Sequence, residues 1–309
     1  MTRRIVRTWH MDSRHWDAYR PRPGDVVIGT YPKCGTTWTQ RIVSLLIFQS
    51  PEPKPMTLSP WIDERFIGVP AETQARIEAQ THRRYLKSHL PFDALPHYAQ
   101  VKYIHTARDG LDAMMSWHNH QTKYKRMELL DRAGLADETI ARAYPRPSEN
   151  PRDFFHDWMG LNGEGRESDV SARSFFDTER TYWAARREPN MLLVHYNDLS
   201  ANLDAEMRRI AKILEIETPP ALWPELVHAA TFDQMQRDGE ALMPLAKFAW
   251  DGGAETFIYS GRNQRWRDAL CDDDVASYRR RAAEALSPGL HRWLSEGRLG
   301  TGEAATSPE

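Results

Sequence analysis

The sequence predicts an α/β fold, a single domain with a central parallel sheet flanked by helices. Three features carry that expectation. A β-branched run, Asp25-Val26-Val27-Ile28-Gly29-Thr30, passes through a glycine-bearing loop into a helical pattern. Three further short apolar runs follow down the chain, with helical patterns between them. No internal repeat or low-complexity tract breaks the alternation.

The elements follow in order. From Thr36 the period changes, and Trp38, Ile42, Leu45 and Leu46 recur at helical spacing until near Pro51. A proline-rich stretch, residues 51–60, leads to Trp61. Arg84-Tyr85-Leu86-Lys87-Ser88 is the second strand, stopped by Pro91. Val101-Lys102-Tyr103-Ile104-His105-Thr106 is the third. Asp109 caps a helix that carries Leu111, Met114, Met115 and His118 on one face. Residues 127–172 are polar and aperiodic, expected as short helices and mobile loop forming a lid or insertion. Residues 174–186 read as helix, and Met191-Leu192-Leu193-Val194-His195-Tyr196 as the fourth strand. Leu203, Met207, Ile210 and Leu214 mark another helix. Residues 237–265 are irregular, and a last helix starts near Asp272. One domain over residues 1–299, with its core at 25–290, is expected to end in a flexible tail at 300–309.

Composition removes several function classes. The 309 residues include 41 Lys plus Arg against 43 Asp plus Glu, a net charge of −2. That balance argues against general nucleic-acid binding, although it permits a local basic pocket. The two cysteines, Cys34 and Cys271, are too few for a disulfide framework or a cysteine zinc site, so a reducing cytoplasm is the expected compartment. Arg3, Arg4 and Arg7 precede no apolar run, so no secretory signal is read. The longest apolar stretches fall short of the ~18 residues that a membrane span needs.

The chemistry concentrates in Thr30-Tyr31-Pro32-Lys33-Cys34-Gly35-Thr36-Thr37-Trp38. Gly35 permits a tight turn, and the helix N-terminus behind it presents free N–H groups suited to a phosphate. Thr36 and Thr37 add hydroxyls, and Lys33 adds a cation. This is not the G-x-x-x-x-G-K-[ST] nucleotide loop, because the lysine precedes the glycine instead of following it.

That nonapeptide resembles the 5′-phosphosulfate loop of the cytosolic sulfotransferase family, T-Y-P-K-S-G-T-T-W, with Cys34 in place of serine. Four further segments resemble the family's in the family's order. Tyr85-Leu86-Lys87-Ser88-His89-Leu90-Pro91 is similar to the segment whose histidine is the catalytic base. Tyr103-Ile104-His105-Thr106-Ala107-Arg108-Asp109, continuing to Ser116, is similar to the segment that binds the 3′-phosphate through an arginine and a serine. Val194-His195-Tyr196-Asn197-Asp198-Leu199 and Ala230-Thr231-Phe232-Asp233-Gln234-Met235 resemble the segments whose Tyr and Phe lie by the adenine. A late segment, Tyr259-Ser260-Gly261-Arg262-Asn263-Gln264-Arg265-Trp266, keeps Gly261 and Trp266. It lacks the family's Arg-Lys pair, and Arg262 or Arg265 is expected to take over that role.

The resemblance implies a P-loop-like fold and transfer of a sulfuryl group from 3′-phosphoadenosine 5′-phosphosulfate (PAPS), releasing the 3′,5′-bisphosphate (PAP), with no metal required. It implies His89 as general base and Lys33 stabilising the leaving phosphate. Cofactor contacts are expected from Lys33, Cys34, Gly35, Thr36, Thr37, Trp38, Arg108, Ser116, Tyr196, Phe232, Gly261 and Arg262. Lys87 lies two residues from His89 and so shares its strand face, within reach of the sulfuryl oxygens. Cys34 is read as a small packed residue, His105 as a packed imidazole, and His118 and His120 as the alternative bases.

The acceptor is expected to be a small, apolar molecule with a hydroxyl or amine. Trp61 and Trp117 are candidates for its pocket, and Phe154, Phe155, Trp158, Phe248 and Trp250 for an apolar lid. The family's dimerisation segment is not evident near the C-terminus, which leaves a homodimer open. Two competing readings are a P-loop nucleotide kinase and a non-catalytic nucleotide-binding module. The kinase would need a lysine after Gly35 and a Mg²⁺ carboxylate at a strand end. The module is disfavoured by the retention of Lys33 and His89.

Overall fold

A computed structural model describes residues 3–8, 10–65, 70–125, 147–161 and 170–308. Four strands, β1 (Val26–Gly29), β2 (Tyr85–Ser88), β3 (Lys102–Ala107) and β4 (Met191–His195), form one sheet in the order β2-β1-β3-β4. Every pairing is parallel, with Val26 opposite Tyr85 on one side and Lys102 on the other, and Tyr103 opposite Met191. The strands are nearly continuous apolar runs because both faces are covered. Val27, Leu86 and Tyr103 feed the core on one face, while Val26, Ile28, Tyr85 and Ile104 feed the other.

Helices α1 (Thr36–Phe48), α2 (Pro70–Glu78), α3 (Gly110–Thr122), α4 (Pro151–Met159), α5 (Ala172–Ala184), α6 (Tyr196–Ala201) and α7 (Leu203–Leu214) intervene between or follow the strands. Next come α8 (Trp223–Ala229) and α9 (Phe232–Arg237). Three short turns of helix, α10 (Gly239–Leu242), α11 (Ala246–Ala249) and α12 (Gly253–Phe257), occupy much of the stretch expected to be irregular. Helices α13 (Asp272–Ala285) and α14 (Pro288–Thr301) close the fold. Most of the expected lid at 127–172 lies outside the described residues; α4 and the start of α5 are the parts described.

Strand order reverses between β1 and β3, so the loops leaving their C-terminal ends diverge and open a crevice, where α/β sheets place their ligands. The loop at 30–35 and residues 108–109 both lie there. Helix α1 is buried nearly all round, even at Arg41. That guanidinium is satisfied by backbone carbonyls of Glu52 (3.0 Å) and Pro51 (2.6 Å), which makes its burial tolerable.

The structure departs from two expectations, in the tail and in the aromatic residues of α4. The tail is not left hanging: Ala304 and Ser307 are buried, Arg209 and Arg298 both pair with Glu303, and the Ser307 carbonyl accepts from Arg186. Phe154, Phe155 and Trp158 are buried core residues. Their helical spacing on α4 turns them toward the protein interior instead of toward a ligand. Among the described residues no helix is long and apolar enough to cross a membrane.

Gly29 ends β1 beneath Tyr182 of α5, whose hydroxyl donates to the Leu90 carbonyl (3.0 Å). A Cβ at position 29 would land on that hydroxyl and lie 2.9 Å from the ring carbon bearing it. Gly29→Ala is therefore expected to cost about 1–3 kcal/mol through overpacking, read by denaturant unfolding. Tyr182→Phe in the same chain should recover part of the loss, because the hydroxyl is the nearest atom. An unchanged midpoint in Gly29→Ala would contradict this packing.

Candidate functional site

The crevice is a cavity of about 600 Å³ bounded by the loop after β1, the end of β2, one face of α3 and the segment from Leu242 to Arg265. Its floor is the first turn of α1. Gly35 caps that helix at φ 113°, and a Cβ there would press on Thr106 and Tyr196 at 3.1 and 3.2 Å. The first-turn amides have no partner within the helix and carry the positive end of its dipole. Lys33 turns the loop with a left-handed φ of 70°. Thr36 joins Thr30 through their hydroxyls at 2.5 Å, and Thr37 and Trp38 also line the cavity.

Cys34 is the expected contact that the structure leaves out. Its side chain is fully buried outside the cavity lining, facing the Pro32 carbonyl, and burial raises its thiol pKa well above the ordinary value. Its amide donates to the Tyr31 carbonyl (3.3 Å).

His89 follows β2 into the cavity. Its Nδ1 is 2.8 Å from the Thr30 carbonyl, which can only accept, so the ring proton resides on Nδ1 and Nε2 carries the lone pair. Burial, then Lys87, hold its pKa well below the usual histidine range, so the ring is neutral near pH 7. Asp63 fixes the surroundings: its carboxylate accepts from Trp16 Nε1 (3.0 Å), Trp61 Nε1 (2.7 Å) and the His89 amide (3.3 Å). Trp61 stands edge-on to His89 at 4.9 Å, and Lys87 Nζ lies 4.3 Å over the Trp61 ring. Lys87 and His89 thus line one cavity, as their spacing implies.

At the opposite end Arg108 stacks 4.0 Å over Tyr196. Its Nε and Nη2 donate to Asn263 Oδ1 at 2.9 and 2.6 Å, Nη1 to the Lys33 carbonyl and Nη2 to the Arg262 carbonyl. Asn263 in turn donates to Asn197. Gly261, at φ 62°, lets the chain pass so close that a Cβ would meet the Phe232 ring at 2.8 Å. Asp112, Met115, Ser116, Asn119 and His120 face the cavity at the i, i+3, i+4, i+7 spacing of α3. Arg262 and Arg265 line it too, with Arg265 against Tyr259 at 4.9 Å.

The other histidines separate by environment. His105 is a core residue, held by the Gly29 carbonyl (2.8 Å) and Glu179 (2.9 Å) and stacked on Tyr182. His118 faces the Ser148 carbonyl (3.0 Å) and Phe154. His120 lies in the cavity. Trp61, Trp117, Phe248 and Trp250 line it as expected, joined by Met56, Tyr124, Leu242, Met243 and Phe257. Asp63 and Asn263 carry no signal in the sequence because their roles are contacts across 26 and 155 residues. No group of three potential metal ligands occurs among the described residues.

Lys33, Lys87 and Arg108 line the same cavity. Burial, then Lys87 and Arg108, lower the pKa of Lys33 to about 7, and burial lowers Lys87 to about 8. An anion placed among them would recover the charge that desolvation suppresses.

A family model described as the sulfotransferase domain matches residues 23–287. A glycolipid sulfotransferase of Mycobacterium bovis is 32% identical, covering 97% of each chain. Two solved structures share the fold. Retinol dehydratase in complex with androsterone and the inactive cofactor PAP superposes with a TM-score of 0.67 at 21% identity, over 89% of this chain and 84% of that one. Mouse sulfotransferase SULT7A1 complexed with PAP gives a TM-score of 0.67 at 17% identity, over 91% and 92%.

In the ligand-free protein, ¹³C-dimethylated Lys33 should titrate near pH 7 and Lys87 near pH 8 by NMR, with Lys33→Ala and Lys87→Ala supplying the assignments. Each amine is charged below its midpoint and neutral above it. Titration of both near the ordinary value of about 10.4 would show that neither is desolvated as described.

Proposed function

The chain belongs to the sulfotransferase family, a family of PAPS-dependent enzymes, and we propose that it moves the sulfuryl group of PAPS to an acceptor hydroxyl or amine with His89 as general base. The observation that carries the role of His89 is its tautomer. With Nδ1–H donated to Thr30, the unprotonated Nε2 is available in the same cavity as Lys33 and the first turn of α1. His89 takes the acceptor's proton as the acceptor oxygen or nitrogen bonds to sulfur. The bond from sulfur to the bridging phosphate oxygen breaks, and its electron pair stays on that oxygen as PAP leaves. Lys33, the α1 amides and the Thr36 and Thr37 hydroxyls stabilise that oxygen's charge. Lys87 faces the sulfuryl oxygens.

The cradle fits a nucleotide bisphosphate. Gly35 allows close approach of the 5′ end, Arg108 and Ser116 serve the 3′-phosphate, and Trp38, Tyr196 and Phe232 supply flat surfaces for adenine. Arg262 and Arg265 stand where added cations are needed. The chemistry calls for no metal.

The acceptor proposed is an amphiphile, with its reacting group at His89 and its apolar portion along Met56, Met243, Phe248 and Trp250. The cavity lining and the activity named for the mycobacterial relative support that reading.

His89→Ala should lower turnover by roughly 10²–10⁴-fold while leaving PAP affinity, measured by calorimetry in EDTA, nearly intact. Near-normal turnover would transfer the base role elsewhere in the cavity, with His120 the next residue to replace. Asn263→Ala should weaken PAP about tenfold and leave adenosine 5′-monophosphate unaffected, because it frees the guanidinium that faces the 3′-phosphate. Equal losses for both nucleotides would assign Asn263 to general loop packing.

A further inference from the structure

Lys33 does not project freely into the cavity. Its ammonium lies 3.4 Å from His120 Nδ1 and 4.4 Å from the centroid of the Phe257 ring. His120 is itself constrained. It stacks on Trp117 at 5.0 Å and 14°, runs nearly parallel to Tyr124 at 5.6 Å, and meets Trp250 at 5.0 Å and Phe257 at 5.8 Å. Two segments build this wall. The end of α3 carries Trp117 and His120, with Tyr124 just beyond it, and the stretch around α11 and α12 carries Trp250 and Phe257. Backbone hydrogen bonds from Lys125 to Ala249 (2.8 Å) and from Asp251 to Lys123 (3.0 Å) fasten them together.

We propose that His120 is a positioning residue whose Nδ1 accepts a hydrogen bond from Lys33 and thereby ties the donor-side ammonium to the aromatic wall of the acceptor pocket. The proposal rests on the sulfotransferase reading and adds a residue that the sequence offered only as an alternative base.

An ammonium has no acceptor capacity, so the ring nitrogen facing it must supply the lone pair. The ring proton then sits on Nε2. That requires a neutral imidazole, and burial together with Lys33 and Lys87 holds the His120 pKa well below the usual histidine range. The titratable and charged groups lining the same cavity are Lys87 and His89 at the end of β2, His10 and Glu64 from earlier loops, and Arg108 and Asp112 from the end of β3 and α3. Arg76 of α2, Arg262 and Arg265 of the closing segment, and the phenols of Tyr124, Tyr196 and Tyr259 complete the set. Of the three ammonium N–H bonds, one directed at His120 leaves two for the leaving oxygen. A flexible four-carbon stem is then held in one direction. An acceptor resting on Trp117 or Trp250 presses on the group that aims Lys33, so acceptor fit and donor alignment are mechanically linked.

The test compares His120→Phe, His120→Asn and His120→Gln. Asparagine puts an amide oxygen close to the place of Nδ1, whereas glutamine reaches the place of Nε2. Adenosine 3′,5′-bisphosphate affinity is measured by calorimetry between pH 6 and 9. The ligand's own titration is common to every variant, so differences report the protein. Loss of the Nδ1 acceptor removes support for the charged amine. His120→Phe should therefore bind as wild type at pH 6, where Lys33 is protonated regardless, which also shows that the variant is folded. Its affinity should fall off at lower pH than in wild type, by about half a unit, leaving it about threefold weaker at pH 8. Asparagine should restore the wild-type midpoint and glutamine should not. A common midpoint in all variants, restoration by glutamine, or weakening of His120→Phe already at pH 6 would overturn the proposal while leaving the nucleotide reading in place. Failure of the wild type to bind the bisphosphate at any pH would overturn both.

Discussion

Gathering Lys33, Lys87 and Arg108 around one buried cavity is the constraint on which the site depends. Burial strips hydration from both lysines, and Lys87 and Arg108 further raise the cost of the charge on Lys33. The protein meets this in two ways. Arg108 spends four N–H bonds on neutral acceptors and lays its plane on Tyr196, so it stays oriented without a carboxylate partner of its own. The two lysines are desolvated against aromatic rings, with His120 beside Lys33, and hold their protons less tightly, near 7 and 8. The missing stabilisation is what a phosphorylated ligand brings, and the first turn of α1 adds its own partial charges at the same place.

The scaffold keeps these groups apart while aiming them together. Parallel pairing brings the ends of β1, β2 and β3 to one edge, and the reversal of strand order leaves a gap there. Close packing behind the sheet holds the edge still. Tyr182 sits on Gly29, and Asp63 binds Trp16, Trp61 and the His89 backbone in one hydrogen-bonded knot. The Thr30 carbonyl selects the His89 tautomer. A backbone group of the loop after β1 therefore decides which nitrogen of the opposing histidine carries the lone pair, so the two sides of the cavity are tied together.

Much of this is legible in the order of the residues. The four strands fall within a residue or two of the runs that predict them, because buried parallel strands must be short and apolar and the flanking prolines and glycines stop them. The loop from Thr30 to Trp38, together with His89, Arg108, Ser116, Tyr196 and Phe232, belongs to ordered segments that resemble a known family, and Pro32, Lys33, Gly35, Thr36, Thr37 and Trp38 line one cavity with those five residues. Cys34 differs because only its backbone belongs to the loop. Phe154, Phe155 and Trp158 differ because aromatic residues at helical spacing satisfy a core as readily as a pocket. The tail differs because Arg186 and Arg209, distant in sequence, join the adjacent Arg298 in supplying partners for a segment that is polar when read alone.

By itself, the sequence determined the α/β alternation, the anion-binding turn and the membership of the family, since these rest on local spacing and short motifs. Tertiary structure alone decided which of several histidines is presented with a free Nε2, which arginine donors remain for a ligand, and that His120 stands against Lys33. The physical reason is that protonation state and hydrogen-bond direction are set by burial and by partners as many as 155 residues away. No local pattern of residues records those distances.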